Sequence, residues 1–271
     1  MLAARGGSNQ SARYRGPHER GQTRRHRRVA IVLSVVVPAH NEQDYLETAV
    51  IDLIKGLRSR DQPFEIIICE NGSSDGTTAL AGDLAARFTE VRALSSERAD
   101  YGRALRAGFL AAEGDVVANF DVDYIDLEFL DTALALVEAA DGPAAVLASK
   151  RSHGAQDERP AGRRMVTAGF SQVLRLGFGL RVSDTHGMKV LRRALFAPIV
   201  TECQFGSDLF DTELILRAER AGLTVAELGV IVRDTRPPRT PISRRIPRTV
   251  SGLAKLRMLL WREALTGRAG R

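Results

Sequence analysis

The chain has 271 residues, 44% of them hydrophobic and 27% charged, enough apolar material for a globular core of one large domain or two small ones. No apolar run reaches the ~18 residues of a bilayer-spanning helix, the arginine-rich first 28 residues do not read as a secretory signal, and Cys69 and Cys203 form no ligand cluster, which favours a reduced, cytosolic setting. The net charge of +6 is unevenly spread: eight arginines against one glutamate give residues 1–28 a charge of +7, eleven Lys/Arg against two acids give 233–271 a charge of +9, and 29–232 is left with −10.

Residues 1–28 have almost nothing to bury and are expected to form a solvated, disordered tail, able to be drawn to anionic lipid. No zinc pattern or aromatic single-strand-binding motif is present, so no nucleic-acid partner is expected. From residue 30 the pattern alternates. "IVLSVVV" (31–37) reads as a buried strand, and the turn "PAHNE" leads to Leu46, Val50, Leu53, Ile54 and Leu57 at helical spacing. "EIIIC" (65–69), "VRALS" (91–95), "DVVANF" (115–120) and "AAVLAS" (144–149) are further strands, separated by helices in "TALAGDLAARF", "YGRALRAGFLAAEG" and "IDLEFLDTALALVEAA".

Strands alternating with helices predict an α/β fold with a mostly parallel sheet and right-handed crossovers. Continuous β-branched runs predict that helices cover both of its faces. In the second half, "GRRMVTAGFSQVLRLGFG" and "FDTELILRAERAG" read as helices and "LTVAELGVIV" as extended. The proline- and arginine-rich "RPPRTPISRRIPR" (236–248) reads as a loop, and "SGLAKLRMLLWREAL" as an apolar, basic helix suited either to the core or to a membrane interface. The expected organisation is a basic tail over 1–28, a catalytic module over 29–232, and a basic loop with an amphipathic helix over 233–271.

In an open α/β sheet, ligands bind beyond the carboxyl ends of the strands. Three turns lie at such ends: "PAHNE", "ENGSSDGT" and "DVDYID". They carry Glu42, Glu70, Asp75, Asp121, Asp123 and Asp126 and no lysine or arginine, a pattern that points to a bound cation or a hydrogen-bond-donating ligand. If the chain is still extended at "DVD", Asp121 and Asp123 point the same way and share one cation. Two carboxylates without histidine suit a hard divalent ion such as Mg²⁺ rather than zinc. Asp126 directly precedes a helical run and is expected to be its N-cap. Asn71–Gly72 suits a turn with positive φ, and Asp75 or Thr77 suits the next helix cap. Glu70, closing an apolar strand, is expected to offer a free acceptor to a nucleobase. Pro38 fixes the first turn and Glu42 caps or binds ligand, while His40 lacks metal-ligand spacing.

"LSVVVPAHNEQDYL", "EIIICENGSSDGT", "YGRALRAGFLAAEGDVVANFDVD" and "SDTHGMKVLRRALF", in this order over residues 31–245, resemble glycosyltransferase family 2 enzymes of the GT-A fold. Within that family they are most similar to dolichol- or polyprenyl-phosphate sugar synthases. The resemblance implies a nucleotide-sugar donor, GDP- or UDP-linked, with Mg²⁺ or Mn²⁺ on its diphosphate and inversion at the anomeric carbon. It implies that Pro38, Ala39, His40 and Glu42 line base and ribose, with Glu70 and Asn71 standing where aspartates are usual. Asp121 then meets ribose or metal, Val122 meets the donor through its backbone, and Asp123 meets the metal. Ile125 stands where the family has a further polar ligand. Arg151 is implied near the donor phosphates, with Arg236, Arg239 and Arg244 as the diphosphate clamp.

Asp211 aligns with the base of hydroxyl-directed relatives and is also a suitable helix cap; Asp184 and His186 are candidates to face the acceptor. Three functions stay open: transfer to a lipid phosphate at the inner membrane face, transfer to a glycan hydroxyl, and non-catalytic binding of nucleotides or anionic surfaces. The expected location is the cytoplasm, with peripheral membrane contact left open.

Overall fold

The computed structural model describes residues 32–60, 62–207, 209–232 and 242–266. Five parallel strands follow the expected order: β1 (Leu33–Ala39), β2 (Phe64–Asn71), β3 (Val91–Ser96), β4 (Val116–Asn119) and β5 (Ala145–Ser149). The helices α1 (Leu46–Arg58), α2 (Thr77–Arg87), α3 (Tyr101–Ala111) and α4 (Leu127–Glu138) connect them. Next come β6 (Gln156–Asp157), α5 (Ala161–Phe178), β7 (Lys189–Arg192), α6 (Arg193–Glu202), α7 (Leu209–Arg220), β8 (Val225–Gly229), β9 (Ile231–Val232) and α8 (Ile242–Leu265). The main sheet runs β3-β2-β1-β4-β7-β5-β8, and β6 pairs with β9 in a small second sheet.

The sheet is mostly parallel, as the alternating pattern predicts, with one departure. β7 lies antiparallel between β4 and β5, pairing Lys189 with Asn119 on one side and with Leu147 on the other. Neither β7 nor α6 is marked in the sequence, because "KVLR" runs straight into "RALFAPIVTE" with no turn residue between them.

Both faces of the sheet are covered. Val35, Val37, Ile66 and Ile68 pack with α1, α2 and α4 in one apolar cluster. Val36, Ile67 and Cys69 pack with α3, α6, α7 and α8 in the other. Every residue of β1 is buried, which is why the strand reads as a continuous apolar run rather than an alternating one.

The alternation of Cβ direction along each strand sends neighbours to opposite clusters. On the second face α3 sits close to the sheet at Gly108, where an added Cβ would lie 2.4 Å from Val36 Cγ1 and 2.6 Å from Cys69 Sγ. Cys69 and Cys203 are both buried and free.

Asp126 is the N-cap of α4, its side chain accepting from Phe129 N–H at 2.9 Å. Asp126→Ala should cost about 1 kcal/mol, read as a fall of a few degrees in melting temperature with the fold intact by circular dichroism. One expectation is corrected at the other end of the chain. Residues 242–248, read as loop, lie in α8 with Pro247 inside the helix. Leu253, Leu256 and Leu260 join the second core cluster, so α8 packs on the body of the fold. Among the described residues no helix is long and apolar enough to cross a membrane. The 1–28 tail, Arg236 and Arg239, and the side chain of Arg244, lie outside what is described.

Candidate active site

The turns after β1 and β2 interlock, and hydrogen bonds between them explain their composition. After β1, Asn41 takes positive φ (54°), its backbone N–H donates to Ser73 Oγ at 3.0 Å, and its Oδ1 accepts from Ser74 N–H at 2.8 Å. His40 Nδ1 lies 2.8 Å from the Asn71 carbonyl oxygen. Glu42 is buried, and its N–H donates to Thr77 Oγ1 at 2.8 Å. After β2, Gly72 adopts the positive φ (59°) expected of the Asn-Gly pair, with Arg98 and Ala99 backbone packed against it. The N-cap of α2 is Gly76, not Asp75 or Thr77; Asp75 lies one residue earlier and accepts from Thr77 N–H and Thr77 Oγ1.

Glu70 corrects an expectation. It is 3% exposed, Oε1 accepts from Ser73 N–H at 2.6 Å, and Oε2 accepts from the Ser95 hydroxyl at 2.5 Å. Burial pushes this carboxyl up, and hydrogen bonds from Ser95, Ser73 and Thr78 outweigh it, holding the group below its ordinary range. Glu70 thus braces the turn internally and has no idle oxygen. Asn71 is engaged as well: its Oδ1 accepts from Asp100 N–H at 2.6 Å. Asp100 then caps α3 through Arg103 N–H and accepts from Ser207 N–H at 2.6 Å, linking the donor side to the loop before α7.

The "DVD" turn differs from the extended chain assumed above. β4 ends at Asn119, and Tyr124 N–H donates back to the Asp121 carbonyl at 3.0 Å, closing a tight turn over 121–124. Asp121 and Asp123 are therefore brought together by turn closure, not by strand alternation. Asp123 is exposed, while Val122 is buried and Ile125 packs partly against the core. Burial pushes the Asp121 carboxyl up; the Lys189 ammonium opposes this, and the Asp123 and Asp211 charges reinforce it. Tyr101 Oη approaches Asp121 Oδ1 at 3.5 Å.

Behind this turn lies a pair that the sequence does not announce. Lys189 and Asp211 have side chains 1% exposed, and the ammonium stands 2.9 Å from Asp211 Oδ1. Lys189 Nζ also donates to the Gly187 carbonyl at 2.7 Å, while neither oxygen of Asp211 accepts a hydrogen bond. Asp211 falls inside the first turn of α7, which starts at Leu209, so it is not the cap of that helix.

On the acceptor side, Asp184 is buried and lies 3.8 Å from Lys150 Nζ. Its Oδ1 accepts from His186 N–H at 3.0 Å, and its Oδ2 has no hydrogen-bond partner. Glu227, on β8, holds this turn by accepting from Ser183 N–H, Ser183 Oγ and Asp184 N–H. Arg151 follows β5 and is exposed, its N–H donating to Ser149 Oγ. Tyr101, Lys150, Lys189 and Glu227 join the candidate site through contacts that carry no local signal in the sequence.

The chemistry of the "DVD" turn fits a hard divalent ion. Two carboxylates share one turn, Asp121 half-buried and Asp123 exposed, and among the described residues no sulfur or imidazole ligand completes a cluster with them. No group of three His, Cys, Asp or Glu residues able to hold a metal occurs among the described residues. The remaining ligands of such an ion would be water and substrate oxygens, the usual situation for Mg²⁺.

The model of the family described as "Glycosyl transferase family 2" matches residues 34–199, which span β1 to α6. The chain belongs to glycosyl transferase family 2. It is 31% identical to the glycosyltransferase AglD of Haloferax volcanii over 74% of this chain and 33% of that protein. It is 26% identical to the dolichyl-phosphate beta-glucosyltransferase ALG5A of Trichomonas vaginalis, over 74% of this chain and 65% of the relative. The chain thus spans less than two thirds of either relative's length.

Among solved structures, it is similar to glucosyl-3-phosphoglycerate synthase from Mycobacterium tuberculosis in complex with Mn²⁺, UDP and glucosyl-3-phosphoglycerate. The identity is 25% and the TM-score 0.57, over 79% of this chain and 74% of that one. The GT-A architecture expected from the ordered motifs is the one this family 2 chain adopts.

Proposed function

We propose that this protein transfers a sugar, with inversion and with a divalent cation, from a nucleotide-sugar donor to a polyprenyl or dolichyl phosphate. The donor half of the reading is supported by the closed turn that sets Asp121 beside Asp123 at the carboxyl end of β4. It is also supported by the M. tuberculosis synthase, whose structure holds Mn²⁺ and UDP. In this reading Pro38, Ala39, His40, Glu42, Asn71 and the Val122 backbone frame the nucleoside, Glu70 braces their turn from within, and Asp121 and Asp123 hold Mg²⁺ or Mn²⁺. A cation there stabilises the negative charge that grows on the departing nucleoside diphosphate. Arg151 adds a fixed positive charge beside it, and Arg236, Arg239 and Arg244 are proposed as further diphosphate ligands.

The acceptor half rests on one observation. Asp211, the position suited to a general base, is sealed in the interior against Lys189, each 1% exposed. A hydroxyl acceptor needs a base within hydrogen-bond reach, whereas a phosphate acceptor is already an anion. Lys150 and Arg151, at the carboxyl end of β5, offer it positive charge, and His186 lies on the same side. Relatives named dolichyl-phosphate beta-glucosyltransferases support the same choice. The glycan-hydroxyl reading has one observation in its favour: the buried Oδ2 of Asp184 accepts no hydrogen bond and faces only Lys150 Nζ, at 3.8 Å.

Two measurements test these readings. Sugar nucleotides, UDP-glucose first, should raise the melting temperature only with Mn²⁺ or Mg²⁺ present. A hundredfold excess over the dissociation constant corresponds to ~2.7 kcal/mol. Asp184→Asn should keep transfer to polyprenyl phosphate within a few fold of the parent. A hundredfold loss, together with transfer by the parent to a glycan hydroxyl, would favour the second reading.

A further inference from the structure

α8 has two apolar faces, and the fold uses one. Leu253, Leu256 and Leu260 point into the core, while Val250, Ala254, Met258, Trp261 and Leu265 fall on the opposite side at the spacing of one helical stripe. Trp261 is 61% exposed. Exposed Lys255, Arg257 and Arg262 flank this stripe. Glu263, the one acid of the helix, is turned inward, where Arg217 makes two bonds to it, at 2.9 and 3.1 Å.

α5 repeats the arrangement. Met165, Val166, Val173 and Leu176 are exposed, the last by 79%, and the helix carries three arginines and no acid. The two helices touch: Arg257 donates to the Gly177 carbonyl, and its guanidinium stands 5.7 Å from the centre of the Phe178 ring.

We infer that the outward faces of α5 and α8 seat this protein on an anionic lipid bilayer. The chemistry of the surface selects that occupant. A tryptophan and long apolar side chains between arginines and lysines suit the headgroup boundary of a membrane. The absence of outward carboxylates on these helices contrasts with the net charge of −10 over residues 29–232, most of which anionic lipid would repel. The same α5 walls the acceptor side on its inner face. Ser171 Oγ donates to the Ser183 carbonyl at 2.6 Å, and the Phe170 ring meets His186 edge-on at 5.7 Å. A seated α5 therefore holds the Asp184 turn next to the lipid surface.

Trp261 is the only tryptophan of the chain, so its fluorescence reports on this surface alone. The full chain is mixed with phosphatidylcholine vesicles with and without phosphatidylglycerol, with neither donor nor acceptor present. The result thus stands apart from the proposed function: transfer in detergent with no vesicle binding would sink the docking surface only. With anionic vesicles, the Trp261 emission should shift to the blue and be quenched by brominated lipid.

Met258→Asp and Leu265→Asp, both at exposed positions, should lower the partition coefficient tenfold or more without moving the melting temperature. Lys255→Glu and Arg262→Glu should each lower it at least fivefold. The inference fails if the protein sediments with anionic vesicles while Trp261 emission stays unchanged, since other basic segments would then do the binding. It fails equally if Trp261 is already blue-shifted in a stable dimer that Met258→Asp dissociates, since a second copy would then cover the face.

Discussion

Asp123→Ala is expected to lower kcat/KM for sugar transfer by a factor of ~10²–10³, the usual loss when one stabiliser of developing negative charge is removed. It should also abolish the part of nucleotide-induced thermal stabilisation that depends on Mn²⁺. Asp123 is exposed, so the melting temperature of the free protein should stay within a degree or two of the parent. That separation makes the variant informative: a catalytic loss on an intact fold reads the carboxylate and not the scaffold.

Asp121→Asn tests the partner residue under a different constraint. Burial already pushes the Asp121 carboxyl up, against the pull of Lys189, so the neutral amide suits the interior better than the anion does. Asp121→Asn should therefore keep or raise the melting temperature while losing metal-dependent nucleotide binding. Full activity of Asp123→Ala in the presence of a chelator would remove the cation from the proposal altogether.

The parallel half of the sheet was legible because its strands are buried on both faces. A strand such as "LSVVVPA" then has no option but to be apolar throughout, and its helices carry their own period. Asp126 was legible for a local reason: a cap satisfies an N–H only three residues away. The same locality explains the Gly72 turn.

Misreadings arose where the decisive partner is distant or where closure overrides the strand pattern. At "DVDYID" the sequence offers no sign that Tyr124 N–H turns back to Asp121, so a closed turn replaces the expected alternation along a strand. Glu70 looked idle because its partner Ser95 sits on β3, twenty-five residues further along the chain. Pro247 argues for a loop by local rules, yet the buried leucines farther along α8 pack that helix on the core.

Lys189 is the clearest case of a residue that only tertiary structure explains. Lysine in a strand ordinarily marks an exposed edge, but β7 lies between β4 and β5 and its lysine is among the most buried side chains of the protein. Nothing short of Asp211, carried in by α7, justifies an ammonium there. The aspartate also lies in the first turn of its helix, where the peptide dipole favours a negative charge.

Lys189→Met is expected to be among the most destabilising single substitutions available. It strands Asp211 with neither oxygen hydrogen-bonded and leaves Asp121 without its opposing charge. Breaking a buried ion pair from one side costs about 3–5 kcal/mol, which for a domain of this size lowers the melting temperature by on the order of 10 °C.

The double variant Lys189→Met, Asp211→Leu separates structure from chemistry. Replacing both charges by apolar groups of similar volume is often neutral for stability, so most of the lost melting temperature should return. Non-additivity of this kind is the signature of a directly coupled pair. If Asp211 serves the fold alone, the double variant should also recover transfer to polyprenyl phosphate, because an anionic acceptor has no proton to surrender. A double variant that melts like the parent and yet transfers nothing would make Asp211 a participant in the reaction, and the phosphate acceptor would lose its strongest support.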